Sequence, residues 1–177
     1  MTTEAPQNVK YFIGALYSDQ ELLEQARKIC ENRYCDLDFM SEPFPFNVTE
    51  YYDQEMGTPI YRVFFSFLDL GNPGDLAQLK LECIAIEDEL MIEGKRKVNL
   101  DVGYLDLHKM VLASTKYNGQ KIYLDKGIYA DPTLVYESGQ FRSVENTFPD
   151  FKSGAYNEVF TLLRNSYKSQ LREERSK

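Results

Sequence analysis

The residues best placed for chemistry lie in the segment Lys97-Val98-Asn99-Leu100-Asp101-Val102-Gly103-Tyr104. Alternation over Arg96–Val102 puts Lys97, Asn99 and Asp101 on one side of a strand and Val98, Leu100 and Val102 on the other. Gly103 and Tyr104 then lead into what reads as a short helix from about Leu105 to Tyr117, so the polar side would end beside a helix N-terminus. Free amides and a partial positive charge make such a start an anion site. Asp101 would alternatively hold a cation or act as a base. The same pattern also fits a solvent-facing strand side next to a glycine turn.

A second group sits in the long irregular stretch Ser41–Gly57, where SEPFPF and YYDQEMG offer Glu42, Tyr52 and Glu55. Its wealth of Phe, Tyr and Pro suits a loop packed over the core as well as one that serves a site. Arg62 lies on the otherwise apolar run IYRVFFSFL and calls for either an internal carboxylate or an anionic ligand. Farther on, a three-residue loop Asp125-Lys126-Gly127 sets a hairpin register. It pairs Leu124 with Ile128 and Ile122 with Ala130 on one face, and Tyr123 with Tyr129 and Lys121 with Asp131 on the other. Lys121 and Asp131 then read as a cross-strand ion pair. Lys116, closing the short helix, offsets the helix dipole or adds to a cationic site.

Several chemistries are excluded. His108 is the only histidine, so a multi-histidine zinc site and the HExxH pattern are absent, and no metal ligand is assigned. An oxygen-only Mg²⁺ site built from carboxylates remains compatible with the composition. A Ser–His–Asp or Cys–His grouping would depend on His108, which shares a helical face with Leu105, Val111 and Leu112. A net charge of −8 and a pI of about 4.8 oppose attraction to phosphate backbones, so nucleic acid is not expected as a partner. Tyr123 and Tyr129 would otherwise offer stacking surfaces for bases.

Cys30, Cys35 and Cys83 form no CxxC pair and read as free thiols in a reducing cytosol. No apolar run approaches the roughly 20 residues of a membrane span, and MTTEAPQNVK lacks the apolar stretch of a signal peptide. The expectation is a cytoplasmic protein without membrane contact.

These groups must be positioned by an α+β domain. Val9–Tyr17 reads as a strand, followed by a helix opened by the capping box Ser18-x-x-Glu21 and striped by Leu22, Leu23, Ala26, Ile29 and Cys30. Leu37–Met40 and Ile60–Leu68 are strands. Asn72-Pro73 starts a second helix, with Leu76, Leu79, Cys83, Ile86 and Leu90 inward and Gly94 as its stop. The first half thus runs βαββαβ, the ferredoxin-like order. A helix, an antiparallel β-meander and a C-terminal helix extend it. Pro132 marks an edge or a bulge. Residues 1–8 read as a flexible tail, 9–168 as one domain and 169–177 as a charged end.

At SEPFPF (Ser41–Phe46), YYDQEMG (Tyr51–Gly57), VNLDVGYL (Val98–Leu105), KIYLDKGIYADPTLVY (Lys121–Tyr136) and TFPDF (Thr147–Phe151) the chain resembles the bacterial domain-of-unknown-function family 4416. The resemblance covers nearly the whole length and implies no established activity, although members often carry a "GTP-binding protein" label. A conventional P-loop is absent. The one Gly-Lys, Gly94-Lys95, is followed by Arg96, and Glu89 stands where the first glycine belongs. The guanine-reading NKxD pattern is missing as well.

Two readings remain. One is a binder of, or enzyme acting on, a small anionic ligand such as a nucleotide or phosphorylated metabolite. The other is a non-catalytic interaction module or homodimer, built on the aromatic loop and the tyrosine-bearing hairpin.

Overall fold

Every residue of strand β1 (Lys10–Tyr17) is buried in the computed structural model, which describes residues 1–176. That burial explains why KYFIGALY shows no polar alternation: the strand is central and both of its faces are covered. Helix α1 (Gln20–Arg33) follows, then β2 (Leu37–Met40), the two-residue β3 (Phe44–Pro45), the single turn α2 (Asp53–Met56) and β4 (Tyr61–Phe67). A 3₁₀ turn at Pro73–Asp75 leads into α3 (Leu76–Glu89), and β5 (Val98–Leu105) completes the first half. The strands lie in the order β2-β4-β1-β5 and all pair antiparallel, which is the ferredoxin-like arrangement expected from the βαββαβ order.

Alternate residues of β1 serve two cores. Tyr11, Ile13 and Ala15 join Val63, Phe65, Val98, Leu100 and Val102 beneath Leu23, Ala26 and Cys30 of α1 and Cys83 and Ile86 of α3. Lys10, Phe12, Gly14 and Leu16 face the other way. The second half of the chain covers that face with β6 (Lys109–Ser114), β7 (Ile122–Asp125), β8 (Ile128–Glu137), β9 (Gln140–Ser143), α4 (Pro149–Lys152) and α5 (Asn157–Arg175). The strands β6, β8 and β7 extend the same sheet beyond β5, and α5 returns across it. Phe160 and Leu163 of α5 pack on Phe12, Phe64, Leu112 and Phe141. The helix stays ordered to Arg175, with Leu171 buried and Gln170 accepting from the buried Lys10 ammonium at 3.0 Å.

The helix expected over Leu105–Tyr117 does not form. Asp106 closes a tight turn instead, its Oδ1 accepting from the amides of His108 (2.7 Å) and Lys109 (2.9 Å), and β6 folds back antiparallel on β5. Met110-Val111-Leu112-Ala113 is apolar at every position because both sides of β6 are covered. Such a run has no period to separate strand from helix. His108 is therefore an exposed turn residue rather than part of a helical face, and Lys116 ends no helix.

Smaller corrections have equally local causes. Asp19, not Ser18, caps α1, accepting from Leu22 N at 3.0 Å. The β7–β8 hairpin keeps the Ile122–Ala130 and Tyr123–Tyr129 pairs, but Asp125 rather than Leu124 lies opposite Ile128. Lys126 and Gly127 both take positive φ (51° and 79°), so the loop has two residues, and a bulge at Leu124 absorbs the third. Pro132 sits at a register shift between β6 and β8, where its missing donor is tolerated.

Phe160 lies fully buried, with the rings of Phe12 and Phe64 both at 5.2 Å. Phe160→Ala is expected to lower unfolding stability by about 3–5 kcal/mol. The check is the urea midpoint at unchanged m-value, and a loss under about 1 kcal/mol would mean that α5 is only loosely docked.

Candidate functional site

The pairing of three strands decides which polar side chains meet. Leu16 of β1 lies opposite both Arg62 of β4 and Asn99 of β5, and Gly14 lies opposite both Phe64 and Asp101. Arg62 therefore has to reach diagonally across β1 to touch Asp101. Its Nη1 donates to Gly14 O (3.0 Å) and Asp101 Oδ2 (2.8 Å), and Nη2 donates to Asp150 Oδ2 (3.1 Å). A Cβ at Gly14 would stand 2.9 Å from Phe64 Cε1 and 3.2 Å from Arg62 Nη1, so glycine keeps this crossing open. The rings of Phe46, Phe64 and Phe151 surround the guanidinium at 5.5–6.0 Å. Tyr156 donates to Asp150 Oδ2 at 3.3 Å.

A second set of charges closes a gap in the sheet. β6 pairs with β5 only along Gly103–Leu105, so the Val98–Val102 stretch has no strand on that side among the described residues. Two buried side chains of α3 take the strand's place. Glu87 Oε1 accepts from Leu100 N (2.6 Å), and Lys80 Nζ donates to Leu100 O (2.8 Å) while lying 3.7 Å from Asp101 Oδ1. Arg96 joins this set to the aromatic loop. It grips Glu55 with two hydrogen bonds (2.7 and 2.8 Å) and donates to Glu87 Oε2 and Asn99 Oδ1, both at 3.0 Å. Lys97 Nζ ties the same loop down through Met56 O at 2.9 Å.

The electrostatics follow from burial and partners. Burial opposes ionisation of Asp101, but Lys80 and Arg62 together outweigh it and hold its pKa below the usual carboxylate value. Burial dominates at Glu87 and raises its pKa in spite of Lys80, the Leu100 amide and Arg96. Burial, with Asp101 beside it, pushes the Tyr52 hydroxyl up to about 12. Two buried donors in this network, Arg62 Nε and Asn99 Nδ2, make no hydrogen bond of good geometry among the described residues, although Asn99 is near enough to Asp101 to help hold it ionised. The Asp101 side chain is 25% exposed.

Residues 7–167 match the family described as Domain of unknown function (DUF4416). The chain belongs to this family. No curated protein and no solved structure gives a match.

In this DUF4416 domain, six of the residues singled out by sequence converge: Tyr52, Glu55, Arg62, Lys97, Asn99 and Asp101. The anion site at a helix start is withdrawn, because Gly103 lies mid-strand and no helix follows it. Tyr104 is on the opposite face of the sheet, edge-on to Tyr11 at 5.9 Å. Glu42 is exposed and stands apart from this network. Asp131 shares the Asp101 face in the neighbouring row Gly103, Leu112, Asp131. It accepts from Gln120 at 2.7 Å and lies 3.9 Å from Lys121, forming a separate flank. Lys121 also lies over the Phe148 ring (5.4 Å) and Lys116 over that of Tyr51 (5.2 Å), while Tyr129 meets Tyr123 at 5.3 Å.

Sequence reasoning missed Gly14, Lys80, Glu87, Arg96, Asp150 and Tyr156. For Lys80 and Glu87 a signal existed: they fall four and eleven positions after Leu76, on the inward stripe of α3. Among the described residues no group of three or more His, Cys, Asp or Glu is arranged to hold a metal ion.

Gly14→Ala and Arg62→Ala act on the same crossing, so their costs should not add. Arg62→Ala strands the buried Asp150 carboxylate and leaves Asp101 with Lys80 alone, and is expected to cost about 3–5 kcal/mol. Gly14→Ala alone is expected to cost about 1–3 kcal/mol, and much less once Arg62 is gone. Additive urea-unfolding energies would show that Gly14 does not serve the guanidinium.

The acid limb of stability carries a second expectation. Asp101, with its folded pKa lowered, contributes stability above its unfolded value of about 3.8, lost as pH falls through the lower folded pKa. Glu87 has the opposite sign: its contribution is full below about 4.5 and lost as pH rises through its raised pKa. Unfolding followed between pH 2 and 7 should show Asp101→Asn flattening the acid limb and Glu87→Gln flattening the decline above it.

Proposed function

We propose that this DUF4416 domain binds a small anionic ligand, of the nucleotide or phosphorylated-metabolite class, beside Asp101 on the face covered by the aromatic loop. The observation that carries this reading is the pair of buried, unpaired donors, Arg62 Nε and Asn99 Nδ2. A buried N–H without an acceptor costs about 1–3 kcal/mol, and ligand oxygens would supply the missing acceptors. Lys97, Lys116 and Lys121 add positive charge around an otherwise acidic chain. The exposed ring of Tyr51 offers a stacking surface for a base. Asp101 is held ionised by two cations and is therefore a weak base, which favours binding over proton abstraction. Free thiols and the absence, among the described residues, of a helix able to cross a membrane are compatible with a cytoplasmic binder.

Asn99→Asp tests the reading directly. It keeps the oxygen that Arg96 needs but replaces the unpaired donor with an acceptor that repels anions. Wild-type protein screened by thermal shift against nucleotides and sugar phosphates, with and without Mg²⁺, is expected to gain several degrees. A ligand at about 100 times its Kd adds roughly 2.7 kcal/mol. Asn99→Asp is expected to fold and to lose that shift. An absent shift across the panel, or one that survives in Asn99→Asp, would remove the site.

One observation favours the alternative of a homodimer. β7 is an edge strand, and its Ile122, Tyr123 and Leu124 are 61%, 58% and 41% exposed. An apolar edge of this kind pairs readily with a second copy of itself. Light scattering should then report a dimer that Ile122→Lys converts to monomer, and a monomer at high concentration would exclude it.

A further inference from the structure

On the other face of the sheet, α1 and α3 part near the C-terminal end of α1, leaving a cleft of about 290 Å³. Ile13 and Val102, paired across β1 and β5, form part of its lining with Phe67, Leu70 and Leu79. Its outer part carries Arg33, Asp69 and Asp75, and the cleft adjoins a shallower depression of about 460 Å³ that Glu82 lines. The Tyr34 ring stands between the two, edge-on to Phe67 at 5.5 Å, and its buried hydroxyl has no hydrogen-bond partner among the described residues. Burial raises the pKa of that hydroxyl, and the neighbouring Glu82 carboxylate adds to the shift.

We infer that this cleft is a second ligand site, for a small amine carrying one aromatic ring. An apolar cavity of about 150 Å³ suffices for benzene, so this volume holds one ring and a short chain. Asp69 and Asp75 in the cleft, with Glu82 in the adjoining depression, outnumber the one guanidinium of Arg33 and select a cationic head. The Tyr34 hydroxyl then accepts from the ammonium group, which relieves a polar atom that is otherwise buried without a partner. The ring lies over Ile13 and Val102, as in the mostly apolar, sparsely polar lining typical of small-molecule sites. This site is independent of the one beside Asp101, which lies on the opposite face.

Cys35 is a built-in reporter. It lines the cleft and is half-buried, whereas Cys30 and Cys83 are fully buried, with burial pushing the Cys30 thiol up to about 12. The experiment tracks alkylation of Cys35 by iodoacetamide in the full chain, with 2-phenylethylamine, 2-phenylethanol or phenylacetate present in turn. Labelling should be slowed most by the amine, less by the alcohol and least by the acid. Tyr34→Phe leaves no unpaired hydroxyl, so it should melt no lower than wild type. It should nonetheless bind the amine about tenfold more weakly, one hydrogen bond to a charged group. The inference is overturned if Cys35 resists labelling in the free protein, if no probe protects it, if the acid protects best, or if Tyr34→Phe binds the amine unchanged.

Discussion

A guanidinium buried at the centre of a sheet has to find its acceptors within the protein, and Arg62 draws them from three separate places. One is the Gly14 carbonyl on the neighbouring strand, one is Asp101 a strand farther on, and one is Asp150 on α4. Leaving any of them out would strand charge in an apolar surrounding of three phenyl rings. The interaction therefore constrains the topology as well as the local geometry. A four-stranded βαββαβ unit alone supplies Gly14 and Asp101. The second carboxylate arrives only when the chain has added four strands and brought α4 back across the sheet. The aromatic cluster of Phe64, Phe151, Tyr156 and Phe160 packs around the same point, so apolar burial and charge pairing select one arrangement.

The same solution recurs wherever strand pairing is incomplete. Lys10 is fully buried and donates to the Phe67 carbonyl, Asp38 and Gln170, tying β1 to β2, β4 and α5. Lys80 and Glu87 occupy the open side of β5 as a neighbouring strand would, one donating to Leu100 O and the other accepting from Leu100 N. Backbone groups buried without partners are costly. Here charged side chains on a helix satisfy them where β6 has turned away. The sheet can thus bend off at Gly103, where a Cβ would lie 2.6 Å from Val111 O. The divergence leaves Asp101 at the boundary between the two halves.

Much of this layout is legible in the amino-acid order. Alternation locates β5 and places Asn99 and Asp101 together, and an arginine among Val63, Phe64 and Phe65 calls for an internal carboxylate or an anionic ligand, of which the carboxylates are present. The hairpin pairs Ile122–Ala130 and Tyr123–Tyr129 come out of a three-residue-loop reading because the bulge at Leu124 restores the residue that the two-residue loop lacks. The segment after Leu105 is misread, because an unbroken apolar run fits helix and strand equally. Asp106 three residues before Lys109 is the signal for a turn. Asp150 and Gly14 cannot be found this way, since their roles depend on a long-range approach that no local pattern records. Tyr104 is grouped with Asn99 and Asp101 for the same reason as the helix: with β5 continuing to Leu105, its even-numbered position places it with Val98, Leu100 and Val102.

The covering of the polar face has its own physics. The loop from Phe46 to Ile60 rests on a small apolar patch of Leu16, Phe46, Met56 and Ile60, separate from the two larger cores. Its remaining attachments are polar and half-exposed: Glu55 to Arg96, and Met56 O to Lys97 and Ser18. Segments with few buried apolar contacts open at lower free energy than the sheet beneath them. Leu16 lies directly between Arg62 and Asn99, under this loop. A ligand bound at both donors would have to displace Phe46 or Met56 first, so under the proposed reading the aromatic loop would govern access to the charges it covers.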